Sequence, residues 1–334
     1  MKQIFIRALS YHLPEKVVTN EELVREFPEW TAEKVANKIG IDARHIAAEN
    51  ETAGDLAEQA ARKMFIEWNI QPKEVDFIML CTQSPDYFLP TTACVLQDRL
   101  GIPTSVGAID FNLGCSGYVY GLAMAKSFIL GGLAKNVLLL TAETYSKHIL
   151  PSDKSNRTIF GDAAAATLIS DEGFASIGEF ELGTNGQGAE NLIVNTGGFR
   201  HRKAMGSIIT DEGGALKSTD NLYMNGSEIF SFTMDVVPPL VEETIKKNSC
   251  VRSDINLYIF HQANKHMLEF LRKKMKIEEN QFYYSLSRFG NTVSSTIPIA
   301  LKEALSDNSI SKGTKLLIAG FGVGYSWGAT IIKF

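Results

Sequence analysis

The chain has 334 residues, 45% of them hydrophobic and 21% charged, the usage of a globular protein long enough for two domains or one large domain with two similar halves. Its 38 acidic and 33 basic residues give a formal net charge of -5, so there is no general basic field for nucleic acid and that partner class is disfavoured. Arg7 and His12 interrupt the first apolar run and no run of about 18 apolar residues follows, which speaks against a signal-peptide core and a spanning helix and makes the cytoplasm the expected location.

In chain order, short apolar runs that read as buried strands alternate with longer segments of helical period. The strands are expected at 75–80, 105–111, 137–141, 257–260 and 316–319, each ending in polar or glycine-rich residues. This alternation predicts an α/β fold with helices on both faces of a mostly parallel sheet. Ligands bind beyond the carboxyl ends of the strands in such sheets. Phe160-Gly161 leads into Ala166-Thr167-Leu168-Ile169, and Phe321-Gly322 leads into Ala329-Thr330-Ile331-Ile332, an echo that fits two similar halves, 1–173 and 174–334. Between them, the stretch 183–226, with Gly197-Gly198 and Gly213-Gly214, reads as irregular connection with short strands.

The chemistry concentrates at three strand ends. Gly114-Cys115-Ser116-Gly117 follows a strand and opens a helical segment, 118–130. Glycines on both sides permit a sharp turn and close approach of a substrate. A helix N-terminus there is expected to stabilise a thiolate and lower the Cys115 pKa. Cys81, Cys94 and Cys250 form no CxxC pair with it or with each other, so neither a disulfide framework nor a metal site is indicated. His261-Gln262-Ala263-Asn264 follows the apolar run 257–260 and precedes a helix ending near Lys276; His261 reads either as a side chain projecting into a cleft or as that helix's cap. Gly290-Asn291-Thr292 lies in a turn before Pro298 and an apolar helix, where an asparagine also serves as a simple turn former.

Cysteine, histidine and asparagine in this order also occur in papain-like proteases, and the 146 residues from Cys115 to His261 fit that spacing. The context does not. The cysteine sits at mid-chain in a strand-to-helix turn, and the asparagine lies 30 residues past the histidine.

Taken together, 40–48 (GIDARHIAA), Gly114-Cys115-Ser116-Gly117, 160–164 (FGDAA), His261-Gln262-Ala263-Asn264, Gly290-Asn291-Thr292, Ile297-Pro298 and 321–328 (FGVGYSWG) resemble the ketoacyl-acyl carrier protein synthase III family of the thiolase superfamily nearly end to end. The resemblance implies a duplicated thiolase-like fold of five alternating layers, αβαβα, and a homodimer. It implies no cofactor, with coenzyme A or phosphopantetheine thioesters as substrates and acyl carrier protein as partner. Cys115 would take an acyl group from an acyl-CoA or acyl-carrier donor. His261 and Asn291 would stabilise the enolate formed when malonyl-carrier protein loses carbon dioxide. The main-chain N–H groups of Cys115 and Val323 would form the oxyanion hole. Phe321 would shape the site, Leu89 would reach across the dimer to the partner's acyl pocket, and Asn264 and Ser227 would contact pantetheine, Ser227 standing where the family usually has asparagine.

Where the best-known members place a tryptophan and arginines around the nucleotide and carrier phosphates, this chain aligns Lys34, Lys38, Lys154 and His266, with Trp30 close by. Flexible point charges are not equivalent to guanidinium forks, which implies a carrier-protein donor or an unusual acyl-CoA. His266, Lys273 and Lys274, at and along the helix after His261, are expected to meet the acidic carrier. Three alternatives stand beside this reading. A hydroxymethylglutaryl-CoA synthase-like enzyme needs a glutamate, and the loop Cys81-Thr82-Gln83-Ser84 offers no carboxylate before Asp86. An acyltransferase to an oxygen or nitrogen acceptor would keep the same cysteine and histidine. An inactive acyl-binding subunit tends to lose the cysteine, which is present here.

Overall fold

A computed structural model describes residues 2–210 and 216–334; Gly213-Gly214 lies outside the described residues. The nine strands of the main sheet are β1 (Phe5–His12), β2 (Phe77–Cys81), β3 (Gly107–Phe111), β4 (Val137–Glu143), β5 (Ala163–Ser170), β6 (Ala175–Thr184), β7 (Leu257–Phe260), β8 (Lys315–Gly322) and β9 (Ser326–Lys333). The helices are α1 (Asn20–Glu26), α2 (Ala32–Ile39), α3 (Ala53–Glu67), α4 (Thr92–Arg99), α5 (Gly117–Leu130), α6 (Lys154–Ile159), α7 (Gly226–Lys247), α8 (Lys265–Lys274) and α9 (Thr296–Ser306). The five expected strands are present, within a few residues of the expected ends.

The sheet is not mostly parallel. Its order is β7-β8-β9-β6-β1-β5-β4-β2-β3, and five of its eight pairings are antiparallel. The antiparallel strands β1, β5, β6 and β9 lacked a sequence signal because their residues are small or weakly patterned, as in Ala163–Ser170, AAAATLIS. Only two residues, Phe5 and Ile6, join β1 to β6, so the ribbon bends there into two sheets that face each other.

The topology repeats. β3-β2-β4-β5-β1 in the first half matches a second series that ends β7-β8-β9-β6, and Phe282, bridged in parallel to Tyr258 of β7, stands where β3 stands in the first. Of the echoed segments, Ala166–Ile169 lies in β5 and Ala329–Ile332 in β9, with Phe160-Gly161 just before β5 and Phe321-Gly322 closing β8.

Helix burial follows from this arrangement. α5 packs against β2, β4, β5 and also β8 and β9, and α9 packs against β1, β5 and β7, so both lie between the two sheets. A helix in that position buries apolar residues on opposing faces: α5 buries Tyr118, Val119, Leu122, Ala125 and Ile129. α3 and α4 cover the outer face of one sheet and α7 that of the other, with α8 packed on α7. α3 buries the stripe Leu56, Ala57, Ala60, Ala61, Met64 and Phe65 and exposes Gln59, Arg62, Lys63, Ile66 and Glu67, as a helix with one wet side must. The layers run α, β, α, β, α. The loop from β3 into the central helix α5 and the ends of β7 and β8 all converge on one region.

Candidate active site

Cys115 ends the turn between β3 and α5, closed by the Gly117 N–H to the Gly114 carbonyl at 2.8 Å. Beside it passes the end of β8: a Cβ added at Gly322 would sit 2.9 Å from both Cβ and Sγ of Cys115, so only glycine admits the strand there. The Ser116 hydroxyl lies 2.6 Å from that of Ser326, which donates to the Val323 carbonyl at 2.9 Å. This buried chain ties the 323–326 loop to the nucleophile turn. The main-chain N–H groups of Cys115 and Val323 act on the sulfur in the sense that favours the thiolate.

His261 follows β7 and is held by its own main-chain N–H to Ala319 of β8 at 2.8 Å. It does not cap α8; Asn264 does, accepting from the Met267 N–H at 2.9 Å. The Asn291 turn needs Gly290 at φ +69°, where an added Cβ would press on the Ile159 carbonyl. Asn291 is pinned through Ile159 and Gly161, its N–H bonding the Ile159 carbonyl at 2.8 Å and its carbonyl the Gly161 N–H at 3.0 Å. Its side-chain Oδ1 accepts from the Val293 N–H at 2.9 Å, which leaves the NH2 group for the cavity. Val293 itself has φ +54°, an outlying conformation for a β-branched residue.

Cys115, His261 and Asn291 line one cavity of about 150 Å³, shared with Phe321, Asn264, Tyr145, Phe160, Leu192, Met224, Ile229 and Met267. The three are only 7, 2 and 5% exposed. The Phe321 ring stands edge-on to the imidazole, 5.9 Å between centroids.

The expected low thiol pKa is not found. Burial, with the Glu143 carboxylate as the next cause, pushes Cys115 up to about 12, against the pull of the two N–H groups. The helix N-terminus is a local effect, and enclosure in an apolar cavity outweighs it. Burial also pushes His261 down to about 3. The resting pair is thus neutral thiol and neutral imidazole.

Glu143, at the end of β4, escaped the sequence reading. The loop after β2 carries no carboxylate of its own, but Glu143 reaches it, accepting from the Gln83 N–H at 3.1 Å and the Ser84 hydroxyl at 3.0 Å. It does not line the cavity. Burial raises its pKa from 4.5 to about 8. Between these values unfolding releases a proton, so its contribution to stability falls as pH rises, by up to about 1.4 kcal/mol per pH unit. Glu143→Gln is expected to lack that slope, giving a Tm difference from wild type that widens in the variant's favour between pH 5 and 8. It should also shift the pH dependence of Cys115 alkylation by iodoacetamide to lower pH.

The remaining expected residues do not line this cavity. Ser227 is exposed on the first turn of α7, next to the cavity-lining Gly226. Lys38 is exposed on α2. Lys154 Nζ is 2.6 Å from the Glu29 carboxylate and 5.7 Å from the centre of the Trp30 ring. On α8, His266 is exposed against Phe230 and Phe270. Lys273 points outward beside Glu269, while Lys274 donates to the Met234 carbonyl at 2.8 Å. Leu89 does not line this cavity and is 81% exposed. No helix among the described residues is long and apolar enough to cross a membrane.

Comparison with known proteins agrees with this geometry. Residues 109–186 match the family model described as 3-Oxoacyl-[acyl-carrier-protein (ACP)] synthase III, and residues 245–334 match that described as its C terminal part. A relative named Beta-ketoacyl-[acyl-carrier-protein] synthase III, from Caldanaerobacter subterraneus subsp. tengcongensis, is 34% identical over 97% of this chain and 95% of its own. One of the same name from Clostridium perfringens is 34% identical over the full length of both. A solved 3-oxoacyl-(acyl-carrier-protein) synthase III superposes with a TM-score of 0.97 at 48% identity, covering 99% of this chain and 100% of that one. The Burkholderia xenovorans LB400 3-oxoacyl-(acyl-carrier protein) synthase gives 0.90 at 36% identity, covering 98% and 93%. The chain belongs to the 3-oxoacyl-[acyl-carrier-protein] synthase III family and is a condensing acyltransferase of the thiolase superfamily.

Proposed function

We propose that the protein joins an acyl group, carried as a thioester, to the two-carbon unit of malonyl-acyl carrier protein through an acyl-Cys115 intermediate. One observation carries this reading: Cys115 from the turn before α5, His261 from the end of β7 and Asn291 from the turn before α9 line a single buried cavity. Sulfur attack on the donor's thioester carbonyl gives a tetrahedral oxyanion that the N–H groups of Cys115 and Val323 hold, and the donor thiol leaves. Malonyl-carrier protein then enters and loses carbon dioxide. Its enolate oxygen is stabilised by Asn291 and His261, and the enolate carbon attacks the acyl-cysteine. The product is a 3-oxoacyl-carrier protein, and one proton is consumed as the Cys115 thiol re-forms. Ping-pong kinetics follow.

The apolar lining takes the acyl chain; a cavity of this size holds a benzene-sized group. Phe321 packs the reacting centre, and Asn264 and Ser227 meet the pantetheine arm. Phe88 and Leu89, 78 and 81% exposed before Pro90, are the apolar residues that a second copy covers in a homodimer, Leu89 closing the partner's pocket. Residues 1–173 form the half that supplies the nucleophile and residues 174–334 the half that supplies His261 and Asn291. Acyl carrier protein, a soluble acidic partner, docks on Lys273, Lys274 and His266, and Lys38 and Lys154 serve its phosphate. The reaction needs no cofactor and runs in the cytoplasm.

Without guanidinium forks at the mouth, the free nucleotide of coenzyme A is the poorer handle. An intact-mass panel of acyl-CoA donors, acetyl to octanoyl, against matched acyl-carrier proteins tests this. Loading of Cys115 from carrier protein should be at least about tenfold faster than from acetyl-CoA, a difference of about 1.4 kcal/mol. Efficient, selective loading by acetyl-CoA would refute the donor assignment.

A further inference from the structure

His261, neutral in its buried site, carries a single ring proton, and the role it can play depends on which nitrogen holds it. Nδ1 lies 2.7 Å from the Thr296 hydroxyl oxygen. That hydroxyl has one proton of its own, directed at the Val293 carbonyl 3.0 Å away. Its oxygen is therefore free only to accept, and Nδ1 must donate. His261, Val293 and Thr296 are 2, 1 and 3% exposed, so bulk water does not compete for these bonds.

From this geometry we propose that Thr296 is a positioning residue, acting through His261. It keeps the ring proton on Nδ1, so that the Nε2 lone pair is left to receive the Cys115 thiol proton in the first half-reaction. The proposal rests on the reading of Cys115 and His261 given above. It also explains how a thiol with no tendency to ionise at rest becomes a nucleophile. Nε2 takes the proton as sulfur attacks the thioester, and returns it to the donor thiolate as the tetrahedral intermediate collapses, so protons balance. In the second half-reaction the proton that this step consumes comes from solvent with the malonyl carboxylate, whose negative charge favours the imidazolium, and is held on Nε2. Nε2 donates to the enolate beside Asn291, then passes the proton to the Cys115 sulfur as the carbon–carbon bond forms and the carbon–sulfur bond breaks. Val293 serves both donors at once, its N–H orienting Asn291 and its carbonyl orienting Thr296. This gives the strained φ of +54° a purpose.

The test has two independent arms. In the first, ¹⁵N-histidine NMR of the intact protein, assigned with His261→Ala, should show pyrrole-type Nδ1 and pyridine-type Nε2 in the wild type and in Thr296→Ser. Thr296→Val should lose this preference. A wild type with the proton on Nε2 overturns the proposal. In the second arm, the donor that loads Cys115 fastest is mixed with each variant in a single turnover. Thr296→Val should acylate roughly 10- to 100-fold more slowly, a part of the roughly 100- to 10,000-fold that general-base catalysis supplies, at little-changed donor affinity, and Thr296→Ser should recover to within about threefold of the wild type. Wild-type acylation rates in Thr296→Val, or a Thr296→Ser as slow as Thr296→Val, contradict it. Absence of acylation in the wild type with every donor would instead refute the reading of Cys115, while the NMR arm still reports on Thr296.

Discussion

Cys115→Ala is expected to abolish acyl-enzyme formation with every donor and to lower condensation by roughly 10⁶-fold, the scale for removing a nucleophile that works as a unit with its partners. The variant should fold, because the side chain shrinks by one atom in a cavity that is already partly empty, at a cost within the usual range of about 0.5–3 kcal/mol. Intact mass under denaturing conditions reads the first effect, showing a thioester adduct on the wild type and none on the variant. An adduct of equal yield on Cys115→Ala would place the acyl group on another residue. Cys81 is the nearest rival thiol by chemistry, but burial raises its pKa well above the usual range and it donates to the Leu113 carbonyl at 3.0 Å.

The second large effect is expected for Asn291→Ala, and it should divide the two half-reactions. Asn291 has no place in sulfur attack, so loading of Cys115 should stay within a few-fold of wild type. Discharge by malonyl-carrier protein should slow by about 100- to 1,000-fold, the loss for one oxyanion donor. The amide is held for this task by its Oδ1 bond to Val293 and by main-chain bonds to Ile159 and Gly161. Asn291→Asp keeps the shape but puts an acceptor where the donor stood, and should be no better than alanine. Loading and discharge falling together would mean that the turn had collapsed and that Asn291 has no separate chemical role.

How far the sequence reveals this site depends on whether a feature is local. Cys115 and His261 each follow an apolar run, and Asn291 sits in a Gly-Asn-Thr turn before an apolar helix, so strand ends and turns can be read without knowing what packs beside them. Thr296 and Val293 carry no such mark, since their roles arise only where α9 enters beneath the histidine. Glu143 lies two residues past the expected strand 137–141, and its place under the 82–84 loop depends on β4 lying beside β2. The thiol pKa was misread for the same reason, because a helix N-terminus can be located in sequence and enclosure cannot. The sheet's antiparallel strands were missed where small residues pack against central helices, leaving no alternation to read. The cavity lining, Leu192 and Met224 with Ile229 and Met267, comes from distant segments and could not have been assembled in advance.

The most direct measurement is the wild-type arm of the discharge experiment. Acyl-enzyme, freed of donor, is mixed with malonyl-carrier protein and followed through one turnover. The account predicts that the Cys115 adduct disappears at the rate at which carbon dioxide and 3-oxoacyl-carrier protein appear, one of each per adduct. Discharge of the adduct to water, or to an oxygen or nitrogen acceptor, with no carbon dioxide released would contradict it.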